Sequence, residues 1–403
     1  MSGRTEREIR ARFPALATGT VFLENAGGSQ VPRDVIERVS TYFRESYVQL
    51  GAGYRRSDVA TQTVDAAHEF VATLTNCRDV AVPILGSSST VLLHVLAGAY
   101  APKVRGREII VSEAGHEANV GPWVRLEAAG AVIRWWRVNE RGESSLAALE
   151  SLLNDRTALV VFPHVSNLLG GVVDVREITR LAHARGARVV VDGVAYAPHR
   201  AIDVAGWGAD WYAYSTYKVY GPHLGALVGR RDAIAELVGP NHFFVPEEEL
   251  PYKWELGGVP HESCAALLGT RDYLAWLGGS GAADRATLER AFAPMERREA
   301  TLTARLLAWL VERGARIVGP GLDPGADRVG TVSFLAPGRD VGAICAAAHA
   351  ADVGIRSGHM YAYRLCEAMG IAPADGVVRV SLVHYTSDDD LDRLFDAIGP
   401  ALG

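Results

Sequence analysis

Lys218 lies in Tyr214-Ser215-Thr216-Tyr217-Lys218-Val219-Tyr220-Gly221-Pro222, a stretch otherwise aromatic and apolar. An amine there is either an exposed loop residue or a desolvated base of lowered pKa, suited to forming a Schiff base. Asp192 precedes it by 26 residues and closes the run Val189-Val190-Val191. An acid at the carboxyl end of a central parallel strand sits where open α/β sheets bind ligands. It could hold a magnesium ion, cap the next segment, or pair with the protonated ring nitrogen of a cofactor. Gly86-Ser87-Ser88-Ser89-Thr90 follows an apolar run and opens a helical pattern. Hydroxyls and free amides at a helix start make a phosphate site, and equally an ordinary N-cap.

Elements that would position these residues follow from hydrophobic patterning. Candidate strands are Val82–Leu85, Glu108–Ser112, Val132–Trp136, Ala158–Phe162, Arg188–Asp192, Trp211–Tyr214 and Ala226–Gly229. Their apolar runs lack alternation, as expected for strands buried on both faces. Helical patterns lie between them, such as Leu146, Leu149 and Leu153, or Ile178, Leu181 and Ala182. That alternation implies right-handed crossovers and a mostly parallel sheet. The connection between Trp211–Tyr214 and Ala226–Gly229 is too short for a crossover helix, so that pair is expected antiparallel. Beyond residue 240 come a Pro/Glu-rich loop (Pro246–Pro251) and a long helix near Asp284–Glu312 with Leu302, Leu306 and Leu310 on one face. Strands near Thr331–Leu335, Gly354–Arg356 and Val377–Leu382, with helices near Val341–Ala351 and Asp388–Ile398, suggest a smaller α+β domain. The expected division is a large domain over 20–265, and a small domain from 1–19 and 266–403 joined through the long helix.

Composition narrows the function classes. Of 403 residues, 48% are hydrophobic and 22% charged, which is a globular balance. A net charge of -6 offers no footprint for nucleic acid or an anionic membrane surface. No apolar run is long enough to span a bilayer, and the charged opening MSGRTEREIRARF lacks a signal-peptide core. Cys77, Cys264, Cys345 and Cys366 have neither disulfide nor zinc spacing, and no HExxH occurs. Metal is not expected, and a cytoplasmic setting is. GxGxxG and GxxxxGK[ST] are both absent from strand–helix junctions, which disfavours dinucleotides and nucleoside triphosphates. A phosphate turn, an acid on a sheet edge, a downstream lysine and this strand order together fit pyridoxal 5'-phosphate.

The chain resembles fold-type I pyridoxal-phosphate enzymes, specifically class V aminotransferases of the cysteine desulfurase-like group. The motifs are FLENAGGSQVP (22–32), GSSST (86–90), GHEANVGPW (115–123), HVSNLLGG (164–171), VVVDGVAYAPH (189–199), YSTYKVYGP (214–222), ELGG (255–258), RSGH (356–359) and RVSLVHY (379–385). The resemblance implies a seven-stranded large-domain sheet and a homodimer with its sites at the subunit interface. It implies that Lys218 holds the cofactor and shuttles protons, and that Asp192 keeps the ring nitrogen protonated. His116 would stack on the ring; by itself it reads equally as a capping histidine. Asn167 would meet the phenolic oxygen, and Ser87, Ser88 and Ser215 the phosphate. Arg379 would clamp the carboxylate of an amino-acid substrate, with Asn25, Tyr361 and Arg55 as further substrate contacts.

Departures from the family pattern bear on the reaction. The position that carries a sulfur-accepting cysteine in desulfurases aligns with Tyr361, so persulfide chemistry is disfavoured. Ala195 replaces a histidine or glutamine beside Asp192. Tyr217 replaces the histidine before the lysine, with its hydroxyl available to the phosphate. Gly258 replaces a threonine that reaches the partner's phosphate, leaving that contact to backbone amides or to neighbouring residues. The leading expectation is a lyase cleaving the β C–S bond of a cysteine derivative or S-conjugate. The alternatives are an aminotransferase, epimerase or decarboxylating deaminase of an amino-acid-like metabolite, then a desulfurase proper, and lastly a non-catalytic protein keeping the fold.

Overall fold

A two-residue strand, β1 (Val21–Phe22), precedes the first of seven strands that form one sheet. These are β2 (Ala81–Gly86), β3 (Glu108–Ser112), β4 (Val132–Trp136), β5 (Thr157–Pro163), β6 (Arg188–Asp192), β7 (Trp211–Ser215) and β8 (Gly225–Arg230). The computed structural model describes residues 3–321 and 325–403. Across the sheet the order is β2-β8-β7-β6-β5-β3-β4. β8 runs antiparallel to both of its neighbours, and the other contacts are parallel. The short link after Ser215 therefore reverses the chain as expected. Val189, Val190 and Val191 of central β6 are fully buried. Burying a valine completely is worth about 1.5–3 kcal/mol, so this run belongs in the middle of a covered sheet.

One strand departs from the expected two-sided burial. β4 lies at the sheet edge, where Val132 and Arg134 are exposed while Ile133 and Trp135 on the other face are half-buried. Alternation returns because only one face of an edge strand is covered.

The second sheet contains β9 (Arg316–Val318), β10 (Thr331–Leu335), β12 (Arg356–Gly358) and β13 (Val377–Ser381), in the order β12-β13-β10-β9. The expected strand near 354–356 is two strands: β11 (Val353–Gly354), which pairs with β1, and β12, which pairs with β13. Ile355 separates them. The long helix Arg285–Glu312 serves both cores. Leu288, Ala291, Phe292 and Met295 pack into the large one, and Leu302, Leu306, Leu307 and Leu310 into the small one. Contacts cross the expected boundaries at 20 and 265. β1 forms a separate two-stranded sheet with β11 and buries Val21 in the small core, while helix His261–Leu277 packs on helices Arg33–Glu45 and Arg55–Leu74. No helix among the described residues is long and apolar enough to cross a membrane.

Candidate active site

The parallel strands deliver their carboxyl ends to one cleft. Pro163 from β5, Asp192 from β6 and Ser215 from β7 line its floor with Val165, Val194 and Ala195. Lys218 follows β7 on the 3-10 turn Thr216–Lys218, and its side chain is buried there. His116, Asn167, Tyr217 and Lys218 also line an outer compartment of about 540 Å³, together with Arg379, Arg356, His359 and Tyr361. Inner and outer compartments thus adjoin, with these four residues forming the wall common to both. Sequence positions more than 250 residues apart meet in the outer one.

Burial dominates the electrostatics. It lowers the Lys218 amine below its ordinary value, the Arg379 charge adds to this, and Asp192 and Glu24 oppose it. The same desolvation raises the Asp192 carboxyl, against a hydrogen bond from the Val194 N–H to Oδ1 at 2.9 Å and the Lys218 charge. His116 is held down to about 4 by burial, with Lys218 and Arg379 contributing, so its imidazole is neutral at pH 7. The Arg379 guanidinium falls to about 10 through burial. Its Nη1 donates to the Asn167 carbonyl oxygen at 3.1 Å, and Nη2 lies 3.9 Å from Glu24 Oε1. Its Nε is buried with no hydrogen-bond partner among the described residues. Nε and Nη2 make no hydrogen bond among the described residues, so that edge keeps the capacity to meet a planar carboxylate, with Glu24 as its nearest acid.

The phosphate turn differs in detail from expectation. Ser88 is the N-cap of helix Ser89–Tyr100, its hydroxyl accepting from the Val91 N–H at 3.2 Å, and Ser87 is exposed. Neither lines the cleft. Ser89 and Thr90 do, and Ser89 Oγ is 2.6 Å from Ser215 Oγ. A helix turns each successive side chain by about 100°, so a shift of one residue decides which hydroxyl faces the cleft. Gly225 permits the arrangement, since a Cβ there would lie 2.2 Å from the Ser88 carbonyl carbon. Only a glycine on β8 lets the turn rest directly on the sheet.

His116 does two jobs. Its Nδ1 accepts from the Ala118 N–H at 3.0 Å, capping a short turn, while the ring lines both compartments. Tyr361, 63% exposed, covers it with ring centroids 5.2 Å apart. Met360 and Tyr361 both have left-handed φ values, +49° and +60°. Such a pair costs energy and needs restraint from its surroundings. Asn167 Nδ2 donates to the Met360 carbonyl at 2.7 Å, and the Glu117 N–H to the Tyr361 carbonyl at 2.8 Å.

Three expected contacts lie elsewhere. Asn25 is buried outside the cleft lining, its Nδ2 donating to the Phe22 and Ser381 carbonyls and its Oδ1 accepting from the Tyr385 hydroxyl. It is a structural tie between the N-terminal segment and β13, and its neighbours Ala26 and Gly27 line the cleft instead. Arg55 is exposed at the start of helix Arg55–Leu74, and Gly258 sits in an open turn at φ +80°. Neither reaches the cleft of its own chain.

The donor set fits pyridoxal phosphate. A buried lysine and acid share the floor, and Ser89, Thr90 and Ser215 stand at a helix start where an anion is favoured. Asn167 Oδ1 is buried without a hydrogen-bond partner among the described residues, as a site awaiting a polar ligand requires. Fold and site together define a fold-type I pyridoxal-phosphate enzyme.

The family assignment is narrower. Residues 21–394 match the family described as aminotransferase class-V, and the chain belongs to it. The chain is 37% identical to the aminotransferase-like protein FGM3 of Gibberella zeae, over 97% of this chain and 96% of that one. It is 29% identical to the cysteine desulfurase-like protein ustD of Aspergillus flavus, over 95% of this chain and 87% of that protein. A cysteine desulfurase structure from Thermococcus onnurineus superposes with a TM-score of 0.87 at 23% identity, covering 99% and 98% of the two chains. Members of this family depend on pyridoxal phosphate, and that is the cofactor of this chain.

Proposed function

We propose that the chain is a pyridoxal-phosphate-dependent lyase that cleaves the β C–S bond of a cysteine derivative. The observation that carries this reading is Tyr361. A desulfurase-like cleft has an exposed aromatic residue at its mouth, and none of the four cysteines is among the residues lining it. Cys77 and Cys366 are buried with thiols pushed up to about 11, and burial raises Cys264 and Cys345 as well. Such thiols are poor nucleophiles. A thiol product that simply departs needs no acceptor. Relatives named for cysteine desulfuration support the sulfur-bearing substrate.

Each residue then has a task. Lys218 holds the cofactor covalently and, once released, takes the proton from the substrate Cα. Asp192 keeps a proton on the ring nitrogen, and His116 covers the ring face. Ser89, Thr90 and Ser215 hold the phosphate, with Tyr217 beside them. Arg379 grips the α-carboxylate through Nε and Nη2, which orients the Cα–H bond toward Lys218. When bound, pyridoxal phosphate supplies an electron sink for the charge that develops at Cα. The Cα–H electron pair becomes the Cα–Cβ double bond, and the Cβ–S pair leaves with the thiolate, which takes up a proton. Water converts the released enamine to pyruvate and ammonia, so the reaction is redox-neutral. The thiol leaves past Tyr361 and His359.

The partner arrangement belongs to the same proposal. Phe43, Tyr47 and Tyr54 are about half exposed or more, and Phe43 and Tyr47 pack together at 5.3 Å. An exposed aromatic cluster supports a homodimer. Arg55 and the Gly258 backbone would then serve the second subunit's site.

The test supplies purified holoenzyme with a panel of cysteine S-conjugates and follows products by mass spectrometry. Pyruvate, ammonia and free thiol in equal amounts are expected. A product that retains its C–S bond would end this reading and leave transamination, epimerisation or decarboxylative deamination.

A further inference from the structure

The residues flanking Lys218 are held by a single residue from near the start of the sequence, Ser29. Ser29 donates to the Tyr217 carbonyl oxygen twice, from its N–H and from its Oγ, both at 3.1 Å. The same Oγ accepts from the Tyr220 N–H at 2.9 Å. Lys218 lies between the two residues so held. Tyr220 has φ +59°, a left-handed backbone that a tyrosine adopts only under restraint. The Tyr220 N–H is directed back at the hydroxyl from that conformation.

Ser29 belongs to a strap whose other end is tied to the strand bearing Arg379. Asn25 Nδ2 donates to the Ser381 carbonyl at 2.8 Å, and the Ala26 N–H donates to Ser381 Oγ at 2.8 Å. Ser381 closes β13, two residues beyond Arg379. Past Ser29, the Gln30 N–H donates to the Tyr385 hydroxyl at 2.9 Å. Residues 25–30 thus run from the carboxylate clamp to the amine, with Ala26 and Gly27 lining the cleft on the way.

We infer that Ser29 is a positioning residue for Lys218, and that the strap fixes the amine relative to Arg379. The inference rests on Lys218 being the amine that holds pyridoxal phosphate, and not on which substrate bond is broken. A methyl group at position 29 leaves the Tyr220 N–H unpaired and removes one of the two donors to Tyr217. The turn then relaxes, and the Lys218 amine gains access to water. Desolvation is what lowers that amine's proton affinity, so loosening returns it toward the ordinary lysine value. Ser29→Thr keeps the hydroxyl. Ser29→Cys keeps a similar volume with a weaker hydrogen-bonding group.

Cofactor-free wild type, Ser29→Ala, Ser29→Thr and Ser29→Cys are exposed to pyridoxal phosphate across a pH series. Borohydride reduction and peptide mass spectrometry then give the rate of modification at Lys218. In Ser29→Ala the midpoint of the pH profile is expected to rise by about half a unit, slowing modification at pH 7 about threefold. Ser29→Thr should follow wild type, and Ser29→Cys should fall between. If Ser29→Ala does not fold, the displacement of the Ser29→Cys profile decides in its place. Profiles that superimpose on wild type, or a Thr variant that behaves like Ala, would overturn the inference. Modification that bypasses Lys218 in wild type would overturn it together with the assignment of the lysine, which separates the two failures.

Discussion

Arg379 and Asn167 are joined across the cleft, Arg379 Nη1 donating to the Asn167 carbonyl oxygen at 3.1 Å. The bond spans the two sheets, because Arg379 is on β13 and Asn167 follows β5. It commits Nη1 of the guanidinium to the protein, while the Nε–Nη2 edge makes no hydrogen bond among the described residues and is the edge proposed for substrate. A lysine cannot divide its contacts in this way, since its ammonium is a point donor. Arg379→Lys is therefore expected to lower kcat/KM about 10- to 100-fold, the worth of a charge-assisted bidentate contact, mostly through KM. Steady-state kinetics on an S-conjugate checks this, and a lysine variant with wild-type KM would remove Arg379 from substrate binding.

Asp192 should matter to the chemistry more than to cofactor retention. Asp192→Asn cannot keep a proton on the ring nitrogen, so kcat should fall about 100-fold or more while the visible spectrum still reports bound cofactor. Asp192→Glu retains the charge and should recover part of the rate. Equal kcat in Asn and wild-type enzymes would show that the buried acid is only structural.

Three buried histidines, His116, His164 and His384, make the fold acid-sensitive, His164 being held well below its ordinary value by burial. His116 is held down to about 4, and His384, whose Nε2 is 2.6 Å from the Tyr273 hydroxyl, down to about 3, both through burial. An unfolded chain takes up these protons near 6.5, so below that pH it binds more protons than the fold does. Stability is full above about pH 6.5 and declines as pH falls toward 4 and then 3. Each histidine contributes a slope of up to about 1.4 kcal/mol per pH unit. Urea unfolding of cofactor-free His384→Gln between pH 7.5 and 4.5 should show a shallower decline than wild type. Parallel curves would contradict the account.

The four cysteines are predicted to be dispensable for turnover. Cys366→Ala removes a buried thiol from a packed site and should cost about 1 kcal/mol of stability, with thiol-release kcat within about twofold of wild type. Mass spectrometry during turnover should detect no persulfide on Cys77, Cys264, Cys345 or Cys366. A persulfide on any of them would reinstate sulfur transfer to the protein.

Much of the fold was legible in the sequence, because buried strands leave unbroken apolar runs. All seven strands of the large sheet fall within a residue or two of those runs, and the reversed β8 follows from a link too short for a helix. The short β1, β9 and β11 were less legible, since strands of two or three residues carry too little pattern and β1 finds its partner β11 at the other end of the chain. Within the site, Lys218, Asp192, His116, Asn167, Ser215, Tyr217, Tyr361 and Arg379 converge on one cleft. Ser89 and Thr90, next to the expected Ser87 and Ser88, line the cleft, and a run of four hydroxyl residues does not reveal which one caps the helix. Asn25 was named for its motif, yet its amide is consumed by Phe22, Ser381 and Tyr385. Ser29 carried no signal, as its role depends on a loop folded against it from position 217 onward.

The most direct test of the lyase reading is the stoichiometry of thiol release without any added keto acid. Holoenzyme is mixed with excess cysteine S-conjugate, and thiol and cofactor form are measured together over time. The account predicts many equivalents of thiol per site with the cofactor recovered as the aldehyde. One equivalent of pyridoxamine phosphate per site, with turnover then arrested and the C–S bond intact, would contradict it.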